Sequence, residues 1–105
     1  MTPLDLADSR EFCVAIAATA RAPDIPEAAD AYGWLVGSWD LDVLRYWGVD
    51  VSARGLKCEL HAGWVLDGYA VQDVWIMPPR ADRIGHLDKR MNMYGSTLRV
   101  WDPTI

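Results

Sequence analysis

The pair Asp67-Gly68, set between two β-prone runs at about 56–66 and 69–77, constrains this chain more than any other feature. A two-residue turn of this composition tolerates positive φ at both positions and is the preferred way to close an antiparallel hairpin. It also predicts the register. Leu66 faces Tyr69, Trp64 faces Val71, Ala62 faces Asp73, Leu60 faces Trp75 and Cys58 faces Met77. One side of the hairpin then carries nine apolar residues and a single charge, Asp73. The other side sets Lys57, Glu59, His61, Gly63 and Val65 against Ala70, Gln72, Val74 and Ile76, and is amphipathic.

Strand periodicity extends beyond the hairpin. Trp39, Leu41 and Val43 alternate with Asp40 and Asp42, which predicts a strand with one buried and one wet face. Gly48 and Asp50 mark a break. Pro78-Pro79 ends the second hairpin strand, because proline cannot donate to a ladder. A polar connection over 80–92 leads to a last strand at about 93–101, and Asp102-Pro103 turns the chain toward Thr104-Ile105. The first 33 residues read as helical. Asp8 or Ser9 can cap a helix whose stripe is Phe12, Ile16 and Ala20, widened by Cys13 and Ala17. Pro23 stops that helix near Arg21, and Pro26 through Ala31 suit a second short turn. The division is therefore a helical segment at 1–33 and an antiparallel β domain at 34–105.

Composition narrows the function classes. The chain has 105 residues, 51% hydrophobic and 24% charged, with a net charge of -5. That suits one packed domain and opposes a nucleic-acid binder or a helix bound to anionic lipid, both of which need a basic face. No apolar run approaches the ~20 residues of a membrane span. Met1-Thr2-Pro3-Leu4-Asp5 lacks the basic start of a secretory signal. Cys13 and Cys58 then read as free, buried thiols in a reducing cytoplasm.

Leu35-Val36-Gly37-Ser38-Trp39 resembles the opening strand of a lipocalin-like (calycin) β-barrel, which begins with Gly-x-Trp after a short helical turn. The runs Gly63 to Gly68, Gln72 to Trp75 and Tyr94 to Val100 are similar to bacterial lipocalin-like proteins of uncharacterised function. The resemblance spans about residues 27–105. It implies a mainly β fold, an antiparallel barrel or half-barrel with an N-terminal helix. The chain departs from the family in length, with room for four or five strands where such barrels usually have eight or more. A half-barrel exposes an apolar face and two unpaired edges. A homodimer completing the sheet is the leading expectation, since a domain of this size is marginal alone. A piece of a longer protein, or an α+β cone of the nuclear-transport-factor-like type, are the alternatives.

Several residues carry possible chemistry. Glu59 and His61 share a strand face, with Gln72 diagonal to His61, and can form an acid–base or orienting set. The bland alternative, a half-wet strand face, is favoured. Asp73, the lone charge on an apolar face, is a ligand anchor or, in the favoured reading, the partner of an arginine such as Arg99 or a residue exposed near a barrel rim. Trp39, Trp64 and Trp75 point to the apolar side and fill a core or line a pocket. Trp47 falls where alternation fails and suits a rim. Cys58 and His61 point to opposite faces and cannot share a metal ion. His86 with Asp88 has no second ligand nearby, so no metal site is predicted. The resemblance leaves His61 and His86 as the only candidates for a haem held by one histidine, and nothing favours either, so no cofactor is assigned. Arg80, Arg83, Lys89 and Arg90 form a basic cluster read as a solvated loop. The sequence thus points to a domain binding a small apolar ligand, with Glu59, His61, Gln72 and Asp73 as polar anchors. The alternatives are a small acid–base enzyme or a structural dimerisation domain.

Overall fold

The structure, a computed structural model, describes residues 10–83 and 92–103. Among these residues it is mainly β, with six strands, β1 (Gly37–Asp42), β2 (Arg45–Tyr46), β3 (Val49–Asp50), β4 (Lys57–Val65), β5 (Ala70–Met77) and β6 (Met93–Val100), and one α-helix, α1 (Arg10–Ile16). Four strands form an antiparallel sheet in the order β1-β4-β5-β6, and β2 pairs with β3. The sheet does not close into a barrel.

The Asp67-Gly68 turn sets the register. Trp64 pairs with Val71, Ala62 with Asp73 and Leu60 with Trp75. Asp67 and Gly68 sit at φ 57° and 85°, the left-handed values that this turn requires, and the Tyr69 amide donates to the Leu66 carbonyl at 3.0 Å. Pairing ends at Val65–Ala70, one residue earlier than the sequence suggests, because Leu66 also takes a positive φ of 53°. Gly68 has a second duty. A Cβ there would lie 2.2 Å from the Ala20 carbonyl oxygen and 2.5 Å from the Ala22 nitrogen. The N-terminal segment crosses the turn at that point.

That crossing explains the main difference from the helical expectation. The helix ends at Ile16 and does not continue to Arg21. Ala17 pairs with Val65, the Ala18 amide donates to the Trp64 carbonyl at 3.0 Å, and the Ala22 amide donates to the Gly68 carbonyl at 3.0 Å. β1 reaches only to Ala62 of β4, so the end of β4 needs another neighbour, and the alanine-rich run supplies it. Alanine's helix propensity, a few tenths of a kcal/mol per residue, yields to these bonds. Of the predicted apolar stripe, Ile16 is half-buried, but Phe12 remains 68% exposed and Cys13, expected to be buried, is exposed too, because little packs against the short helix. The second turn is a 3-10 turn at Glu27–Ala29. The proposed caps Asp8 and Ser9, and the final Thr104-Ile105, lie outside the described residues.

Alternation sorts the sheet into two faces. Trp39, Leu41, Cys58, Leu60, Ala62, Trp64, Val71, Asp73, Trp75, Met93, Gly95, Thr97 and Arg99 share one, here the tryptophan face. Ser38, Asp40, Glu59, His61, Gln72, Val74, Tyr94, Ser96 and Leu98 share the other. β1 was expected to bury one face, yet all six of its residues are exposed, because it is an edge strand with little packed on either side. The buried apolar set is small: Ala22, Ile25, Val51, Cys58, Val65, Ala70, Val71 and Ile76. The chain exposes 8393 Å², against about 5,900 Å² for a compact monomer of its mass. Its radius of gyration is 17.1 Å, where about 13 Å is usual. Among the described residues, no helix is long and apolar enough to cross a membrane.

Candidate functional site

Two pieces of chain pack onto the tryptophan face and leave a cleft at each end. At the hairpin end, the segment 21–32 stands over Trp64, Val71 and Arg99 and frames a cleft of about 350 Å³. At the other end, the β2–β3 ribbon stands over Leu60, Trp75 and Met93 and frames one of about 380 Å³. Both volumes fall within the range of small-ligand sites.

The hairpin-end cleft combines apolar and charged groups. Trp64, Tyr69, Tyr32 and Trp101 give it aromatic walls, with Tyr69 and Trp101 stacked at 6.5 Å between ring centres. Tyr69 is fixed from outside by donating its hydroxyl to Asp24 Oδ1 at 2.6 Å. Two arginines supply the polar groups. Arg21 Nη1 donates to Asp30 Oδ2 at 2.9 Å, and Asp30 Oδ1 accepts from the Gly33 amide at 2.7 Å. These bonds hold the Asp30 carboxyl below its usual pKa, against the opposing effect of partial burial. Arg99 Nη1 donates to Asp73 Oδ2 at 2.5 Å, and its guanidinium lies 5.2 Å from the Tyr32 ring centre.

Asp73 is only 3% exposed, and its second oxygen, Oδ1, has no hydrogen-bond partner among the described residues. Arg99 neutralises a carboxylate that could not otherwise remain buried. Among the described residues, Arg99 uses only one of its five N–H donors, and Arg21 likewise one.

The other cleft is more apolar. Leu41, Val43, Leu60, Trp75, Met77 and Met93 line it, and Tyr46 donates its hydroxyl to Met93 Sδ at 3.2 Å. Cys58 lies here, buried, and burial raises its thiol pKa, so it is an unreactive wall. Trp47, 86% exposed, stands at the rim beside Tyr46. Trp75 lies flat across Gly95, where a Cβ would come within 2.0 Å of the indole. Trp39 donates from Nε1 to the Leu35 carbonyl at 2.7 Å and meets Trp34 edge-on.

The opposite face holds a polar chain that the sequence showed only in part. His61 pairs across the sheet with Ser38, whose Oγ lies 2.8 Å from Nδ1. His61 Nε2 lies 2.7 Å from Glu59 Oε1. Glu59 Oε1 also accepts from Arg80 Nε at 2.9 Å and Nη2 at 2.7 Å, while Oε2 accepts from the Arg80 amide at 2.5 Å. The side-chain bonds from Arg80 do most to hold the Glu59 carboxyl down at about 2, followed by the bond to His61 and the Arg80 amide. An ionised Glu59 can only accept, so Nε2–H donates to it and Nδ1 accepts from the Ser38 hydroxyl. This is the order of a hydroxyl–imidazole–carboxylate relay. It lies on an open sheet face with the His61 side chain 40% exposed, and neither cleft reaches it.

The seven candidates therefore separate. Asp73, Trp39, Trp64 and Trp75 are on the tryptophan face. Glu59 and His61 are together on the other face. Gln72 shares that face but donates to Ser96 Oγ at 3.0 Å and does not join Glu59 and His61. Of the basic cluster, Arg80 is committed to Glu59, and Arg83 to the carbonyls of Pro78 and Met77 and to the Tyr94 hydroxyl. Lys89, Arg90, His86 and Asp88 lie outside the described residues. Among the described residues, no three His, Cys, Asp or Glu side chains group to hold a metal ion.

Compared with known proteins, the chain matches no family model, no curated protein and no solved structure.

Proposed function

We propose that the protein is a lipocalin-like domain that binds a small, mostly apolar ligand on its tryptophan face. The observation that supports this is the hairpin-end cleft: about 350 Å³, walled by Tyr32, Trp64, Tyr69 and Trp101, with the guanidinium groups of Arg21 and Arg99 at its edge. Aromatic walls with few polar groups are what a site for a small organic molecule requires. The placement of the Gly37-Ser38-Trp39 strand directly after two 3-10 turns, with Trp39 on the cleft-bearing face, also suits a calycin opening strand.

Indole emission tests the reading. Titration with a panel of small apolar molecules should give saturable quenching, and Trp64→Phe should remove most of it. A panel that quenches without saturation, or equally in the Trp64→Phe protein, would overturn the assignment. The second reading, an acid–base enzyme, is favoured only by the relay of Ser38, His61 and Glu59. Ester hydrolysis lost in both Ser38→Ala and His61→Gln would support that reading instead.

A further inference from the structure

The two edges of the main sheet differ in how they are protected. β1 carries Asp40 and Asp42, and pairing it with a second β1 in registers centred on Asp40 or Leu41 sets aspartate against aspartate. Its other face is occupied by Trp39, tied back to Leu35. β6 has none of these devices. Its sequence Met93-Tyr-Gly-Ser-Thr-Leu-Arg-Val100 has no proline and one charge, and that charge, Arg99, is bound to Asp73 within its own sheet. Among the described residues, β6 has β5 as its only neighbour. Tyr94 and Leu98, which line neither cleft, are 64% and 49% exposed, Val100, which also borders the hairpin-end cleft, is 59% exposed, and Val74 on the adjoining strand is 40% exposed.

We infer that a second copy of this chain pairs with the β6 edge, antiparallel about a two-fold axis, to give a continuous eight-stranded sheet. Three arguments select a copy of the same chain. First, the excess surface of about 2,500 Å² is well above the ~800 Å² per partner that a standard interface buries. Second, antiparallel edge pairing is self-complementary and closes at two, so it exhausts the unprotected edge without growing a filament. Third, β6 matches itself. In a register centred on Thr97, Tyr94 meets Val100 of the partner subunit, Ser96 meets Leu98 of the partner subunit, and Arg99 meets Gly95 of the partner subunit. Aromatic faces β-branched, and no like charges are opposed. The apolar strip of Val74, Tyr94, Leu98 and Val100 becomes continuous across the axis.

This inference does not rest on the ligand-binding reading: Val100 also borders the hairpin-end cleft, but Val74, Tyr94 and Leu98 line neither cleft. The test is sedimentation equilibrium of the full chain from about 1 to 100 µM, beside Leu98→Lys. Leu98 is half exposed in one copy, so the substitution spares the fold, which circular dichroism verifies. The expected result is a mass of twice 11.8 kDa. Leu98→Lys should weaken dimerisation on the order of a hundredfold, about tenfold for each of the two equivalent sites. Asp40→Lys, at the opposite edge, should leave the dimer unchanged. A folded monomer across the whole range, a dimer indifferent to Leu98→Lys, or an open-ended series of larger species would each overturn the inference.

Discussion

Replacing Arg99 with Met tests the central electrostatic claim about the tryptophan face. Met keeps much of the apolar stem and removes the charge, so the change isolates the ion pair from the packing. Asp73 is 3% exposed, and its carboxylate has one partner among the described residues, Arg99 at 2.5 Å. Removing that partner leaves a buried carboxylate with two unpaired oxygens. Breaking a buried pair in this way costs about 3–5 kcal/mol, much of it the penalty on the stranded charge. The Arg99 side chain is 29% exposed, so water reaches the site and the lower end, about 3 kcal/mol, applies. A domain of this size holds about 5–15 kcal/mol in total. At a urea slope near 1.5 kcal/mol per molar, the unfolding midpoint should fall by about 2 M. Combining Arg99→Met with Asp73→Leu should recover most of the loss, because an apolar pair strands nothing. The cycle should give a coupling of about 2 kcal/mol, measured by urea unfolding followed through tryptophan emission. A midpoint shift below about 0.5 M for Arg99→Met would refute the reasoning, as would a double variant less stable than Arg99→Met alone.

Two further perturbations follow from the same geometry. Gly68→Val should destabilise by at least about 3 kcal/mol: a left-handed residue with a Cβ costs about 1–2 kcal/mol, and the collision with the Ala20 and Ala22 backbone adds to it. A loss under 1 kcal/mol by thermal unfolding would show that the N-terminal segment does not cross the turn. Glu59 predicts an acid response. Its carboxyl is ordinarily near 4.5 and is held at about 2 in the folded chain, so its bonds to Arg80 contribute fully above pH 4.5 and are lost as pH falls toward 2. Protection factors of the amides at 80–83, taken against the intrinsic exchange rate at each pH, should fall over that window, and Arg80→Ala should show low protection at every pH. Protection that is flat from pH 5 to 2 in the native chain would contradict it.

Much of the sheet was legible because its determinants are local. Asp67-Gly68 sets the registry of β4 and β5 from residues adjacent in sequence, and the period of two then assigns every side chain on both strands to a face. Asp73 stood out as the single charge among apolar neighbours, and the partner it needed was found in Arg99, two strand positions along β6. What failed to be legible depends on chain segments far apart in sequence. Ser38 reaches His61 only because β1 pairs with β4 across 23 residues, and no periodicity encodes that register. Arg80 reads as a solvated loop residue until the turn after Pro79 returns it to Glu59. Arg21, Asp30 and Tyr32 frame the cleft from a segment without any repeat, so nothing in 21–32 marks them in advance.

The mistaken helix end and the mistaken burial of β1 have one cause. Alternation and helical spacing report which side chains lie on the same side of an element, and say nothing of whether another element arrives to cover that side. At Ala17–Ala22 a neighbour arrived that propensity did not foresee, and the helix gave way to it. At Trp39 and Leu41 none arrived, so residues with a strong inward pattern stay 40% and 37% exposed. A sheet with this much uncovered apolar surface has its pattern fully determined and its burial incomplete.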